Sequence, residues 1–183
     1  SMLDCQVAIL ENAIARYETT GKAPQPIGTR HPSIAPFQAF KTKDYYVIIA
    51  CGNDALWAKL CKVMNIEHLI DDPKFKTNRD RISNLDELEP LINGITVTKT
   101  TDEWVKILDG VGHPVGVINT VDKVVTDPQV LSRNMIVEIE HPVAGKMRVA
   151  GNPIKMSLTQ GAVEKPAPIL GQHTEEILKT VLG

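Results

Sequence analysis

Tyr45 to Met64 restricts the possible folds of this chain more than any other stretch. Tyr45-Tyr46-Val47-Ile48-Ile49-Ala50 is a β-branched and aromatic run of strand length. After it, Leu56, Trp57, Leu60, Val63 and Met64 repeat at helical spacing. Between the two lies Cys51-Gly52-Asn53-Asp54. The side-chain oxygen of Asn53 or Asp54 can accept a free first-turn N–H, so the stretch predicts strand, polar loop and capped helix. Such a loop collects backbone N–H groups at one point, where an anionic or carbonyl oxygen can sit. A plain, well-capped joint explains the same residues.

The chain has 183 residues, enough to bury a real core. Its net charge is -2 and no basic tract stands out, which argues against nucleic acid or an anionic membrane as partner. No apolar run approaches the length of a membrane span. Aromatic residues make up only 4%, so the core must be mostly aliphatic. Cys5, Cys51 and Cys61 form no CxxC, which favours a reduced, cytoplasmic protein over a disulfide framework. His31, His68, His113, His141 and His173 are scattered, and none pairs with a cysteine at zinc-ligand spacing, so no metal is expected.

Leu3 to Glu18 reads as a helix with the apolar stripe Leu3, Val7, Leu10, Ile14 and Tyr17. It starts almost at the first residue, which suggests a cut inside a longer protein. Lys22 to Pro36 carries four prolines and reads as an extended linker. Phe37 to Phe40 and Tyr45 to Ala50 pair as strands. A short turn at Asp72-Pro73 follows the organising helix, then a helix through Ile82, Leu85 and Leu88 that Asn93-Gly94 should end. Thr98 to Thr101 offers caps for a helix burying Trp104, Ile107 and Leu108. Val115 to Ile118 is a short strand, and Asn119-Thr120 and Asp127-Pro128 open short helices. Met135 to Glu140 and Lys146 to Ala150 form the clearest hairpin, and Ile154 to Leu158 could add a strand. A last helix runs through Ile177, Leu178, Val181 and Leu182. Helices and strands mix without a β-α-β rhythm, which points to an α+β fold with an apolar helix on each flanking arm. Such stripes need a cover, from a missing domain or a second copy.

Several collinear strings carry a resemblance. They are Gly28-Thr29-Arg30-His31-Pro32 with Pro36-Phe37; Gly52-Asn53-Asp54 with Trp57; and Asp72-Pro73-Lys74-Phe75 with Asn78-Arg79, Arg81 and Asn84. Val117-Ile118-Asn119-Thr120-Val121, His141-Pro142-Val143-Ala144-Gly145 with Gly151-Asn152-Pro153-Ile154-Lys155, and Ala167-Pro168-Ile169-Leu170-Gly171-Gln172-His173-Thr174 complete the set. In this order they resemble the class III (family III) CoA-transferases. That superfamily includes formyl-CoA transferase, carnitine CoA-transferase and, more distantly, α-methylacyl-CoA racemase. The resemblance implies the C-terminal half of a larger chain. It would hold the end of the large domain's last helix (1–20), a linker (21–36), the small α+β domain (37–158) and a return linker with its helix (159–183). It also implies an interlocked homodimer.

The family's chemistry, so implied, runs through a nucleophilic aspartate that attacks an acyl-CoA thioester. A mixed anhydride forms, CoA thiolate converts it to an aspartyl-CoA thioester, and the incoming carboxylate takes CoA away. That aspartate belongs upstream of this sequence, so no catalytic residue is expected here and the chain alone should be inactive. Coenzyme A and acyl-CoA enter as substrates, with no tightly bound cofactor. The small domain must offer N–H donors and exclude water. Cys51-Gly52-Asn53-Asp54 occupies the place of the glycine-rich loop that closes over the active site in formyl-CoA transferase, but only one glycine remains, which points away from that member and toward a carnitine-transferase-like relative. Gly52, Asn53 and Asp54 are the candidate substrate-binding residues; Asn53 could instead only cap its helix. Arg30 and His31 are candidates for contact with CoA phosphates or a partner subunit; pinning the linker is the alternative. Arg79 and Arg81 read as a salt-bridge cluster with Asp71, Asp72 and Asp80. The parent could instead be a racemase, or the chain a non-catalytic binding or dimerisation domain. A Cys51–His31 nucleophile would make a different enzyme.

Overall fold

The computed structural model describes residues 1–183, apart from the side chain of Leu182. The chain divides into two compact units, Ser1–Ile118 and Asn119–Gly183. The division falls inside the span 37–158 read above as one domain.

In the first unit, β1 (Phe37–Lys41), β2 (Tyr46–Ala50) and β3 (Val115–Val117) form an antiparallel sheet in that order. Phe40 pairs with Val47 and Gln38 with Ile49, so Phe40, Val47 and Ile49 share one buried face. That face meets α3 (Asp54–Met64), which buries Trp57, Leu60, Cys61 and Met64, the i, i+3, i+4, i+7 stripe the sequence contains. Asn65 ends α3 in the left-handed region at φ 57°, which asparagine tolerates. The helix α4 (Asn78–Ser83) buries Arg81, while α5 (Leu85–Thr96) and α6 (Thr101–Gly110) supply Leu88, Ile92, Trp104 and Leu108 to the same core. Thr77 with Asp80, and Thr100 with Glu103, close reciprocal capping boxes on α4 and α6.

Three expectations are corrected here. The N-terminal helix is two, α1 (Met2–Ala8) and α2 (Glu11–Thr20), because the Leu10 N–H turns back to the Val7 carbonyl, three residues away. No residue of either helix is buried, so the predicted apolar stripe lies exposed. Asn93-Gly94 does not end α5: the Asn93 Oδ1 accepts from Lys41 N–H (2.9 Å) and Thr96 Oγ1 donates to the Lys41 carbonyl (2.6 Å), so β1 holds the helix for another turn. Nor do Arg79 and Arg81 cluster with Asp71, Asp72 and Asp80. Asp80 is spent on its capping box, Asp71 lies 3.2 Å from Lys76, Asp72 accepts from the Lys74 N–H, and Arg81 reaches Asp54.

The second unit has α7 (Val121–Val124), α8 (Pro128–Ser132), and the expected hairpin of β4 (Ile136–His141) and β5 (Gly145–Ala150), in which Ile136 pairs with Ala150 and His141 with Gly145. Asp127 caps α8 through the Gln129 and Val130 N–H groups. Gly151 extends the ladder to the Met135 carbonyl, and a Cβ there would stand 2.1 Å from the Asn134 carbonyl oxygen, so only glycine fits. Ile154 to Leu158 is not a strand. Pro153 has no N–H, and Asn152 Oδ1 takes the Ile154 N–H (2.9 Å) in a local turn. The chain ends in α9 (Thr174–Ile177) and a π-helical run, Leu178–Leu182.

Candidate functional site

The candidate residues fall into two neighbouring segments of the first unit. The linker passes under the start of the loop: the Cys51 N–H donates to the Pro36 carbonyl (2.9 Å). Asn53 is extended (φ -158°) and its Oδ1 accepts from the Leu56 N–H (2.9 Å), so it caps α3. Asp54 sits in the first turn of α3, at the positive end of the helix dipole. Gly52 is exposed, and an added Cβ there would meet nothing within 4 Å. Neither a positive φ nor crowding from the fold accounts for glycine at 52.

Asp54 accepts from Nη2 of Arg81 at 2.6 Å. The Asp54 side chain is 62% exposed whereas Arg81 is fully buried. The Arg81 guanidinium lies 5.3 Å from the centre of the Trp57 ring, a cation–π contact. Sequence reading placed Arg81 in the wrong pair because its partner lies 27 residues away, beyond any local spacing rule.

Arg30 donates to Glu89 through Nε (3.0 Å) and Nη2 (2.6 Å), and Nη2 also lies 2.9 Å from Asp86. The Glu89 hydrogen bond pushes the guanidinium up from its ordinary value. Two carboxylates therefore balance its charge. His31 stacks on Phe37 with ring centres 5.1 Å apart, its N–H donates to the Phe37 carbonyl, and its Nδ1 accepts from the Ser33 N–H (3.1 Å). Both residues pin the linker. They also line a hollow of about 200 Å³ with Arg16, Ile27, Ile82 and Leu85. Arg16 has no carboxylate partner among the described residues and was missed in the sequence, where it reads as one more polar position on an amphipathic helix. A larger hollow, about 410 Å³, lies in the second unit beside Arg133, Asn152 and Lys155 and contains none of the predicted residues.

The cysteine alternative is overturned. Cys51 is fully buried, and burial pushes its thiol up to about 12 despite the nearby Arg81 charge; Cys61 is pushed up to about 12 by the same cause. A buried thiol shifted this way is a poor nucleophile at neutral pH. Iodoacetamide at pH 7.5 should therefore label exposed Cys5 and spare Cys51 and Cys61 until the protein unfolds, as intact mass would show. Because folding raises both thiols, their stabilising effect is full below the ordinary value of 9.0 and is lost as pH climbs towards 12. Urea midpoints measured from pH 8 to 11 should fall accordingly.

No helix of the described residues is long and apolar enough to cross a membrane. The fold is that of a known structural class. It superposes on a CAIB/BAIF family protein from Brucella suis with a TM-score of 0.77 and 33% identity, over 98% of this chain and 46% of that one. The profile of CoA-transferase family III matches residues 1–174, and the chain belongs to that family. It is 40% identical over 182 residues to human succinyl-CoA:glutarate CoA-transferase, covering 100% of this chain and 42% of the human protein. It is 35% identical over 180 residues to acetyl-CoA:oxalate CoA-transferase of Acetobacter aceti, covering 98% of this chain and 45% of that protein. The chain thus spans less than half the length of these relatives.

Proposed function

We propose that this chain is the substrate-side portion of an acyl-CoA:carboxylate CoA-transferase acting between small dicarboxylic acids. The observation that carries this reading is the likeness, over the full length of the chain, to relatives named for CoA transfer to glutarate and to oxalate. CoA passes through an aspartyl-CoA thioester on an aspartate that lies outside these 183 residues, so the isolated chain does not turn over. Gly52 and Asn53 line the pocket for the acyl or acceptor carboxylate, where first-turn N–H groups of α3 face a developing anion. The missing Cβ at Gly52 leaves room for close approach. Arg30 and His31 stand on the CoA side, at the wall of the 200 Å³ hollow, with Arg16 as the unbalanced cation for a phosphate. The parent works as a cytoplasmic homodimer with CoA thioesters as substrates and no tightly held cofactor.

The parent protein, given succinyl-CoA and glutarate, should yield glutaryl-CoA and succinate by mass spectrometry. Simple hydrolysis, or inversion at Cα without need of a second carboxylate, would refute the reading. Asn53→Ser separates capping from recognition, since serine caps as well as asparagine. The variant should keep its thermal midpoint and raise the glutarate KM about tenfold, the cost of one hydrogen bond to a charged group. An unchanged KM reduces Asn53 to a cap.

A further inference from the structure

Asn78 and Arg81, three residues apart near the start of α4, take no part in the reading above, yet they join both halves of the candidate site. Asn78 Oδ1 accepts from the Ala35 N–H (3.0 Å), and its Nδ2 donates to the Ser33 carbonyl (3.0 Å). Arg81 Nε donates to the Ala35 carbonyl (2.7 Å). The linker residue is therefore held on both of its peptide groups by one short helix. Arg81 Nη1 donates to the Phe75 and Lys76 carbonyls (2.9 and 3.1 Å), and Nη2 to Asp54 (2.6 Å). One buried guanidinium thus ties the linker, the 75–76 turn and the first turn of α3.

We propose that Arg81 is the positioning residue of the substrate loop, holding Gly52-Asn53-Asp54 in fixed relation to the linker that carries Arg30 and His31. The proposal rests on the reading that the loop meets substrate. A single buried ion pair is weak evidence for stability alone. The planar fork of arginine, by contrast, sets direction as well as charge, and here it spans segments far apart in sequence. Because the Asp54 side chain is largely exposed, removing it opens no cavity; it takes away the tie together with a first-turn charge of α3, and the exchange rate at Ala35, across the linker, reads the tie alone.

The test uses the full-length parent with succinyl-CoA and glutarate, and the variants Asp54→Ala, Arg81→Lys, Asn53→Ser and Asn53→Ser/Asp54→Ala. Arg81→Lys keeps the charge but loses the fork. Asp54→Ala and Arg81→Lys should each raise the glutarate KM about tenfold with kcat within about threefold. The double variant should be no worse than about its worse parent, because a displaced loop has no aligned Asn53 to lose. Amide hydrogen exchange should quicken together at the Leu56 and Ala35 N–H groups in Asp54→Ala and in Arg81→Lys. The proposal is overturned if Asn53→Ser raises KM while Asp54→Ala does not, if the double effect is the product of the single ones, or if exchange quickens at one segment only. If Asn53→Ser leaves KM unchanged, Asn53 is only a cap, the reading that the loop meets substrate through it fails, and this proposal goes with it. Should Arg81→Lys not fold, Asp54→Ala decides alone.

Discussion

Trp104→Ala should cost the Ser1–Ile118 unit about 3–5 kcal/mol, the range for emptying a large aromatic site in a packed core. Trp104 is 2% exposed and belongs to the buried core that also holds Leu88, Ile92 and Leu108. Its indole N–H also donates to the Thr96 carbonyl at 2.7 Å, near the end of α5. The loss therefore has two parts, a cavity and a carbonyl with a weaker set of donors. Trp104→Phe separates them. It restores most of the volume and removes the donor, so it should cost about 1–2 kcal/mol, mainly the lost hydrogen bond. Urea unfolding of the parent followed by circular dichroism measures both. A loss below about 1 kcal/mol for Trp104→Ala would mean that the core collapses around the site instead of keeping the cavity.

Arg81→Met should lower stability by about 3 kcal/mol, for a different reason. Methionine fills much of the same space, so little cavity forms. The loss comes from the backbone carbonyls of Ala35, Phe75 and Lys76, each of which surrenders a donor worth about 1 kcal/mol. Replacing a whole buried ion pair with apolar residues is often neutral, because donor and acceptor leave together. Here the acceptors are main chain and stay behind. Asp54 contributes little to the loss, since water can solvate its exposed carboxylate. A thermal midpoint for Arg81→Met equal to that of the unchanged protein would show that these carbonyls find water instead.

Much of the fold was legible before any coordinates. The α3 stripe, the Thr100 cap, the Asp127 cap and the β4–β5 hairpin depend on short-range patterns, where side-chain spacing and cap chemistry act directly. The candidate loop was legible for the same reason, and Asn53 does cap its helix. The misreadings share another origin. Asn93-Gly94 looks like a stop until Lys41 binds Asn93 and Thr96 from the sheet. Arg81 stands among acidic residues in sequence and spends its charge on a distant one. The N-terminal helix breaks at Leu10 although its apolar period runs on.

The sequence by itself determined most of the helices and strands, the Asn53, Thr100 and Asp127 caps and which family the motifs resemble, because those are short-range properties of residue order. Tertiary structure alone decided who partners whom, Arg30 with Glu89 and Asp86 and Arg81 with Asp54 and Ala35, and which cysteines are buried. A donor's chemistry is written in its side chain. Its acceptor is set by packing, which brings together residues 27 to 59 positions apart only once the core has closed around them.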